Sequence, residues 1–198
     1  MKRTFDLIFV IILSPLIIPA IFFISLLVLV FLGKPIFFFQ ERLGLHGKAF
    51  KIYKFRTMKN LYNSNGDLLD DEVRVTKFGG FMRSYSLDEF PNFLNVFLGQ
   101  MSIVGPRPLL VEYKKKFNHQ QSIRMNVKPG ITGWAQINGR NKSSWEETFN
   151  NDLWYVENQS LILDLKIILS TILVVLLRKD VAPSKKITKS KFQGLKNE

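Results

Sequence analysis

The chain has 198 residues, with 28 Lys and Arg against 16 Asp and Glu, so its formal charge is +12. At 46% hydrophobic and 22% charged residues it is neither disordered nor collagen-like, and its length suits one domain with an appendage. No Cys and only two His exclude disulfides, thiolate nucleophiles, zinc–cysteine sites and a His-rich metal site, while the basic balance predicts an anionic partner: nucleic acid, a membrane surface or a phosphorylated substrate.

Leu7 to Gly33 is a run of 27 residues without a charge. About 20 apolar residues cross a bilayer as a helix, and a run hydrophobic all round does not suit a soluble core helix. It is also too long for a signal peptide and lacks a small-residue cleavage site. Ser14-Pro15 and Pro19 interrupt it. Pro15 removes an amide donor, which predicts a bend near Ser14, and the Ser14 hydroxyl is placed to satisfy a freed backbone group. Two geometries follow: a kinked span, or a helix that bends back with both ends on the cytoplasmic side. Lys2 and Arg3 favour the cytoplasm for the N-terminus.

Pro35 to Phe39 is a short β-like run, and Phe50 to Arg56 alternates apolar and basic residues like a half-buried strand. Asn65-Gly66 signals a turn. Leu87 to Phe97 is a helix candidate, Thr132 to Ile137 a possible strand and Trp145 to Glu157 a helix. Leu161 to Leu177 is apolar apart from Asp164 and Lys166, and its uncharged part is too short to span. It reads as an interfacial helix or a core helix. The tail from Arg178 to Glu198 carries seven basic and two acidic residues and reads as a flexible, membrane-facing basic segment.

Asp88-Glu89 is the sharpest acidic feature. Ser86 with Glu89 three residues later matches a capping box, which makes these first-turn acids of a helix. The same position suits chemistry. An Asp at a helix N-terminus is expected to stay ionised, and an ionised carboxylate can attack phosphorus to give an acyl phosphate. A neighbouring carboxylate, Glu89, can hold magnesium against diphosphate oxygens. Arg107 lies between Pro106 and Pro108, so a planar guanidinium is delivered from a stiff loop, as phosphate recognition requires. Arg83, Lys54, Arg56, Lys128 and Arg140 can add positive charge, although each alone reads more readily as a solvated or paired surface residue. His46 and His119 have no evident partners. Walker A, dinucleotide G-x-G-x-x-G and G-x-S-x-G motifs are absent.

In these strings the chain resembles the monotopic phosphoglycosyl transferases, or bacterial sugar transferases. The resemblance runs from about Lys2 to Leu177. It includes Ser14-Pro15, Gln40-Glu41-Arg42-Leu43-Gly44 and the string Phe50 to Met58. It continues through Arg83, Ser86-Leu87-Asp88-Glu89-Phe90-Pro91, Met101 to Pro108, and Lys128 to Arg140. One departure is Asn92, where the family commonly has Gln. The resemblance implies an α+β, mostly helical fold: a re-entrant membrane helix (1–33), a small cytoplasmic catalytic domain with interfacial helices and a short β element (34–177), and the basic tail (178–198). It implies that Asp88 is the nucleophile, Glu89 its acidic partner and magnesium ligand, and Arg83 and Arg107 the phosphate-binding arginines. Ser14-Pro15 would be the helix break. Lys54, Arg56, Lys128, Gln136 and Arg140 are candidate contacts to the nucleotide sugar.

The reaction implied is transfer of a sugar 1-phosphate from a UDP-sugar to undecaprenyl phosphate, with Mg2+ as cofactor and an aspartyl–phosphosugar intermediate. Gly105 to Tyr113, Asn138-Gly139-Arg140-Asn141 and Lys191-Phe192-Gln193-Gly194 are most similar to the branch that uses N,N'-diacetylbacillosamine 1-phosphate. The expected setting is the cytoplasmic face of the bacterial plasma membrane, against anionic lipid and without a nucleic-acid partner. Two rivals are a membrane-tethered anion-binding module, whose binding would survive Asp88→Asn, and a membrane phosphatase acting without a lipid acceptor.

Overall fold

Helix α1 (Lys2–Leu32) runs unbroken through Pro15 and Pro19 in the computed structural model, which describes residues 1–139, 143–177 and 191–194. Pro15 has no amide hydrogen, so the Ile11 carbonyl loses its helical donor. The Ser14 hydroxyl donates to that carbonyl at 2.8 Å, as the sequence predicts. The middle of α1 is bare: Ile11, Ile12, Leu16 and Ile18 are all more than half exposed.

Both ends of α1 are fastened to the rest of the chain. Near the start, Lys2 Nζ donates to Asp164 at 2.5 Å, and Arg3 donates to the Val96 and Phe97 carbonyls. Buried Asp6 accepts from the Ser102 hydroxyl and the Ile103 amide at 2.9 and 3.0 Å. At the other end, Ile24 and Val28 pack with Phe55 and Met82, and Phe31 stacks on Phe78. Arg56 donates to the Leu32 and Gly33 carbonyls. Those carbonyls lack helical donors, and a guanidinium also suits the negative end of the helix.

Strands β1 (Phe37–Leu43) and β2 (Ala49–Phe55) form an antiparallel hairpin, with Phe37 opposite Phe55 and Leu43 opposite Ala49. After it, Gly66 takes a positive φ in the predicted turn. Short helix α2 (Asp71–Arg74) precedes α3 (Lys77–Ser84), which Thr76 caps by accepting from the Gly79 amide. A Cβ at Gly79 would lie 1.8 Å from the Thr57 carbonyl, so this glycine permits the close approach of α3 to the end of the hairpin.

The predicted helix over Leu87 to Phe97 is two pieces. A 3-10 turn spans Leu87–Glu89, and α4 (Asn92–Phe97) begins after Pro91, which starts a helix more readily than it continues one. The predicted capping box is absent. Ser86 takes a left-handed conformation, φ 57°, and its side chain makes no cap. Strand β3 (Ser102–Val104) pairs in parallel with β4 (Gly130–Thr132). The strand expected over Thr132 to Ile137 therefore stops at Thr132, and α6 (Trp134–Ile137) follows. Between β3 and β4 lie a 3-10 segment Val111–Lys116, α5 (His119–Ser122) and a 3-10 turn Ile123–Asn126. Both histidines are exposed.

Helix α7 (Trp145–Asn158) starts on a capping box from Ser144 and Glu147, and α8 (Leu161–Leu176) follows after a short turn. One side of α8 buries Asp164 and Ile167, while Ile162, Leu165, Leu169, Leu173 and Leu176 remain exposed along the other. This spacing is an apolar stripe at helical period.

Three cores result. One joins Val10 of α1 to Ile52, Val96, Val104, Tyr155 and Ile167. The second is the Ile24–Phe55–Met82 group. The third is aromatic: Tyr113 and Phe149 surround Phe192, which is 1% exposed. The tail expected to be flexible is thus docked at 191–194. Its aromatic ring prefers this apolar cage, and its backbone is bonded on both sides: the Phe192 amide donates to the Tyr113 hydroxyl and Lys116 Nζ to the Phe192 carbonyl. The remainder of the tail, and Arg140, lie outside the described residues.

Candidate active site

The hairpin, the 3-10 turn after α3 and the loop after β3 converge on Glu89. Its Oε1 accepts from Lys54 Nζ at 2.6 Å and from Arg107 Nη2 at 2.7 Å. Its Oε2 has no hydrogen-bond partner among the described residues. Burial works against the charge of Glu89, but Arg107 and Lys54 outweigh it and hold the carboxyl well below the usual carboxylate range. Glu89 in turn raises the Arg107 guanidinium.

Asp88 is different. It is 9% exposed and, among the described residues, its carboxylate makes no hydrogen bond. Neither oxygen is sealed from solvent. Burial raises its pKa, and the positive charges of Lys54, Arg83 and Arg107 only partly offset this and the negative charge of Glu89. The expected reason for a charged Asp88, a helix N-terminus, is not present, because a three-residue 3-10 turn has no appreciable dipole. The surrounding cations supply only part of that stabilisation. Two adjacent carboxylates therefore have divergent environments: one is firmly ionised and paired, the other buried and unpaired.

Arg83 reaches this region from α3. Its Nε donates to the Thr57 hydroxyl at 2.9 Å, leaving both terminal nitrogens without hydrogen-bond partners among the described residues. Burial lowers its pKa and Asp88 raises it. Arg107 is about half exposed, so its planar fork keeps donors free beside the Glu89 contact. A narrow cleft next to these groups is lined by Arg42, Lys54, Glu89, Asn92 and Arg107. Two of its side chains carry buried polar atoms without partners among the described residues, Arg42 Nε and Asn92 Oδ1. Burial and neighbouring Arg107 bring the Arg42 pKa down to about 10.

The site residues expected from sequence divide clearly. Asp88, Glu89, Arg83, Arg107 and Lys54 come together. Arg56 is turned away to cap α1. Lys128 lies beside Arg3 and Asp6 at the start of α1, where burial lowers its pKa. Gln136 donates to the Ile131 carbonyl at 2.9 Å, and its Oε1 is buried without a partner. Arg42 was missed. It lies on β1 in the string Gln40 to Gly44, and its pattern position gives no hint that the hairpin carries it beside Arg107.

A divalent cation fits the donor set. Among the described residues no group of three or more His, Cys, Asp or Glu comes together. Magnesium, however, commonly takes one or two carboxylates and completes its shell with water and substrate phosphate. The unpaired oxygens of Asp88 and Glu89 match that demand.

The bacterial sugar transferase family model matches residues 1–178, and the chain belongs to that family. It is 49% identical to the uncharacterized sugar transferase EpsL of Bacillus subtilis over 98% of this chain and 96% of EpsL. It is 42% identical to the galactosyl transferase CpsE of Streptococcus agalactiae, over 73% of this chain and 35% of that protein. It is 40% identical to the UDP-glucose:undecaprenyl-phosphate glucose-1-phosphate transferase of Escherichia coli, over 87% of this chain and 39% of that enzyme. The chain thus spans nearly all of EpsL but well under half of the other two.

Proposed function

We propose that this protein transfers a sugar 1-phosphate from a UDP-sugar to undecaprenyl phosphate and releases UMP. The observation that carries this reading is the unpaired, buried carboxylate of Asp88 beside Glu89, Lys54, Arg83 and Arg107. A weakly solvated carboxylate is a competent nucleophile when deprotonated. The adjacent cations suit a diphosphate.

In this mechanism an Asp88 oxygen attacks the β-phosphorus of the donor. The bond from that phosphorus to the bridging oxygen breaks, and UMP departs with the electron pair. The sugar phosphate is then held as an acyl phosphate on Asp88. A phosphate oxygen of undecaprenyl phosphate attacks the same phosphorus and frees the Asp88 carboxylate. Arg107 and Arg83 bind and orient the diphosphate, while Lys54 keeps Glu89 ionised and in place. Glu89 Oε2 and Asp88 would hold Mg2+, which supplies neutralisation of charge on the diphosphate when bound.

A lipid acceptor calls for a site at a membrane, and two features support one. Both ends of α1 are bonded to the same domain, a pattern that suits a helix entering and leaving one leaflet. The bare middle of α1 and the exposed stripe of α8 offer apolar surface to lipid. The excess of basic residues favours the cytoplasmic face. For the donor, the strings named above favour UDP-N,N'-diacetylbacillosamine. Relatives named for glucose and galactose make a UDP-hexose the second reading.

The test is UMP release by the purified full chain with Mg2+, undecaprenyl phosphate and a panel of these UDP-sugars, beside Asp88→Asn. Release that needs lipid, one sugar and Asp88 is expected. Donor alone should add the mass of one phosphosugar to the wild-type protein and not to the variant. Asp88→Asn releasing UMP at the wild-type rate would remove Asp88 as nucleophile.

A further inference from the structure

The loop that presents Arg107 has an unusual hydrogen-bonding problem. Pro106 and Pro108 have no amide hydrogen, so the segment is rich in acceptors and poor in donors. It cannot pair with itself, yet its three carbonyls are each taken. The Gly130 amide donates to Pro106 at 3.0 Å, Arg124 Nη2 to Arg107 at 2.7 Å, and Arg42 Nη1 to Pro108 at 3.4 Å. The bond to Arg107 itself therefore comes from a side chain.

That side chain is almost completely buried. Arg124 is 4% exposed and Asp152 of α7 is 2% exposed. Nε and Nη2 of Arg124 both donate to Asp152 Oδ2, at 2.9 and 2.7 Å. The Arg124 guanidinium also lies over the Phe149 ring. A buried charge of this kind requires a partner, and Asp152 supplies it. The pair fixes a rigid donor at the base of the loop, with α7 as its footing. Among the described residues Arg124 makes no hydrogen bond to Asp88 or Glu89, so its link to the site is the backbone of Arg107.

We propose that Arg124, held by Asp152, is a positioning residue that sets where Arg107 places its guanidinium on the donor diphosphate. This rests on the transferase reading given above. The planar fork of Arg107 binds phosphate only from a narrow range of directions. Its stem leaves the loop one bond away from the carbonyl that Arg124 holds, so a tilt of that peptide swings the fork. Arg42 lines the cleft itself, whereas Arg124 does not and reaches it only through the loop.

The experiment compares UMP release by full-length wild type, Arg107→Ala, Arg124→Lys and the double variant Arg124→Met/Asp152→Asn. The double variant removes both charges of the Arg124–Asp152 pair together, so it keeps the fold testable if Arg124→Lys does not. Each is also made in the Arg107→Ala background, and thermal unfolding is followed throughout. A misplacement of about 1 Å can cost about 100-fold in rate, so kcat/KM should fall by about that order with the melting point retained. The loss should divide between KM for the UDP-sugar and kcat as it does in Arg107→Ala. In the Arg107→Ala background the Arg124 changes should add little. Equal losses in both backgrounds, or a folded variant with wild-type kcat/KM, would overturn the positioning role. Full activity in Arg107→Ala would instead overturn the phosphate-binding role on which it rests.

Discussion

Arg107 Nη2 stands 2.7 Å from Glu89 Oε1, across 18 residues of sequence, and the same oxygen also receives Lys54. One carboxylate oxygen thus gathers two cations, one from strand β2 and one from the loop after β3. Glu89→Gln would release both and leave them unopposed in a tight site. UMP release should fall by about 100-fold or more, in the range seen for loss of a single electrostatic contact in a catalytic site. Steady-state kinetics on folded protein would check this, and an unchanged kcat/KM would contradict it.

Asp88→Asn should separate activity from stability. The fold penalises the charged form of Asp88, because burial outweighs the nearby cations. Removing the charge should therefore leave the melting point equal or higher while activity disappears. A large drop in melting point would mean that Asp88 has a structural partner after all.

The same pair predicts opposing pH effects. The folded pKa of Asp88 is raised, so its contribution to stability falls as pH rises from the ordinary carboxylate range to its folded value. The folded pKa of Glu89 is depressed, so its contribution is complete above the ordinary range and is lost as pH falls towards the folded value. Asp88→Asn should steepen the rise of stability with pH, and Glu89→Gln should flatten it. Melting points across the acid range report both. The acid limb of kcat/KM should also lie above the ordinary Asp range, because the nucleophile must be deprotonated.

Arg56→Gln should lower stability without affecting donor binding. It removes charged donors from the Leu32 and Gly33 carbonyls, a loss of about 1.5–3 kcal/mol. KM for the UDP-sugar should stay at the wild-type value. A rise in KM with unchanged stability would return Arg56 to the nucleotide site.

The chain has no Cys, so single cysteines can map α1. Thr4→Cys and Lys34→Cys flank the apolar run at exposed positions. A membrane-impermeant maleimide should reach both from the cytoplasmic side of inverted vesicles and neither from the other side. Labelling from opposite sides would show a span.

Much of the fold was legible where one periodic signal dominated. The alternation in Phe50 to Arg56 gave β2, and the helix read over Trp145 to Glu157 is α7. The pattern misled where two signals competed. Ser86 and Glu89 have the spacing of a cap, but Pro91 ends the turn and Ser86 is held left-handed. The site was legible as residue types rather than positions. Lys54 and Arg56 look alike in an alternating strand, yet Lys54 reaches Glu89 while Arg56 caps α1. Only the pairing of β2 with its surroundings separates them. Arg124 and Asp152 were invisible, since no local spacing links a 3-10 turn to a helix 28 residues later.

The bond between Lys2 and Asp164 spans 162 residues of sequence. During synthesis α1 emerges well before Asp164, the partner of Lys2. Until the hairpin and α3 follow it, this most apolar segment lacks the Phe55 and Met82 surface against which Ile24 and Val28 pack. An apolar helix exposed in that interval prefers lipid to water, and the domain would then assemble against it. Contacts this distant in sequence form slowly, because the intervening chain must be gathered before they can close. Closure of the Lys2–Asp164 bond would accordingly come late in maturation.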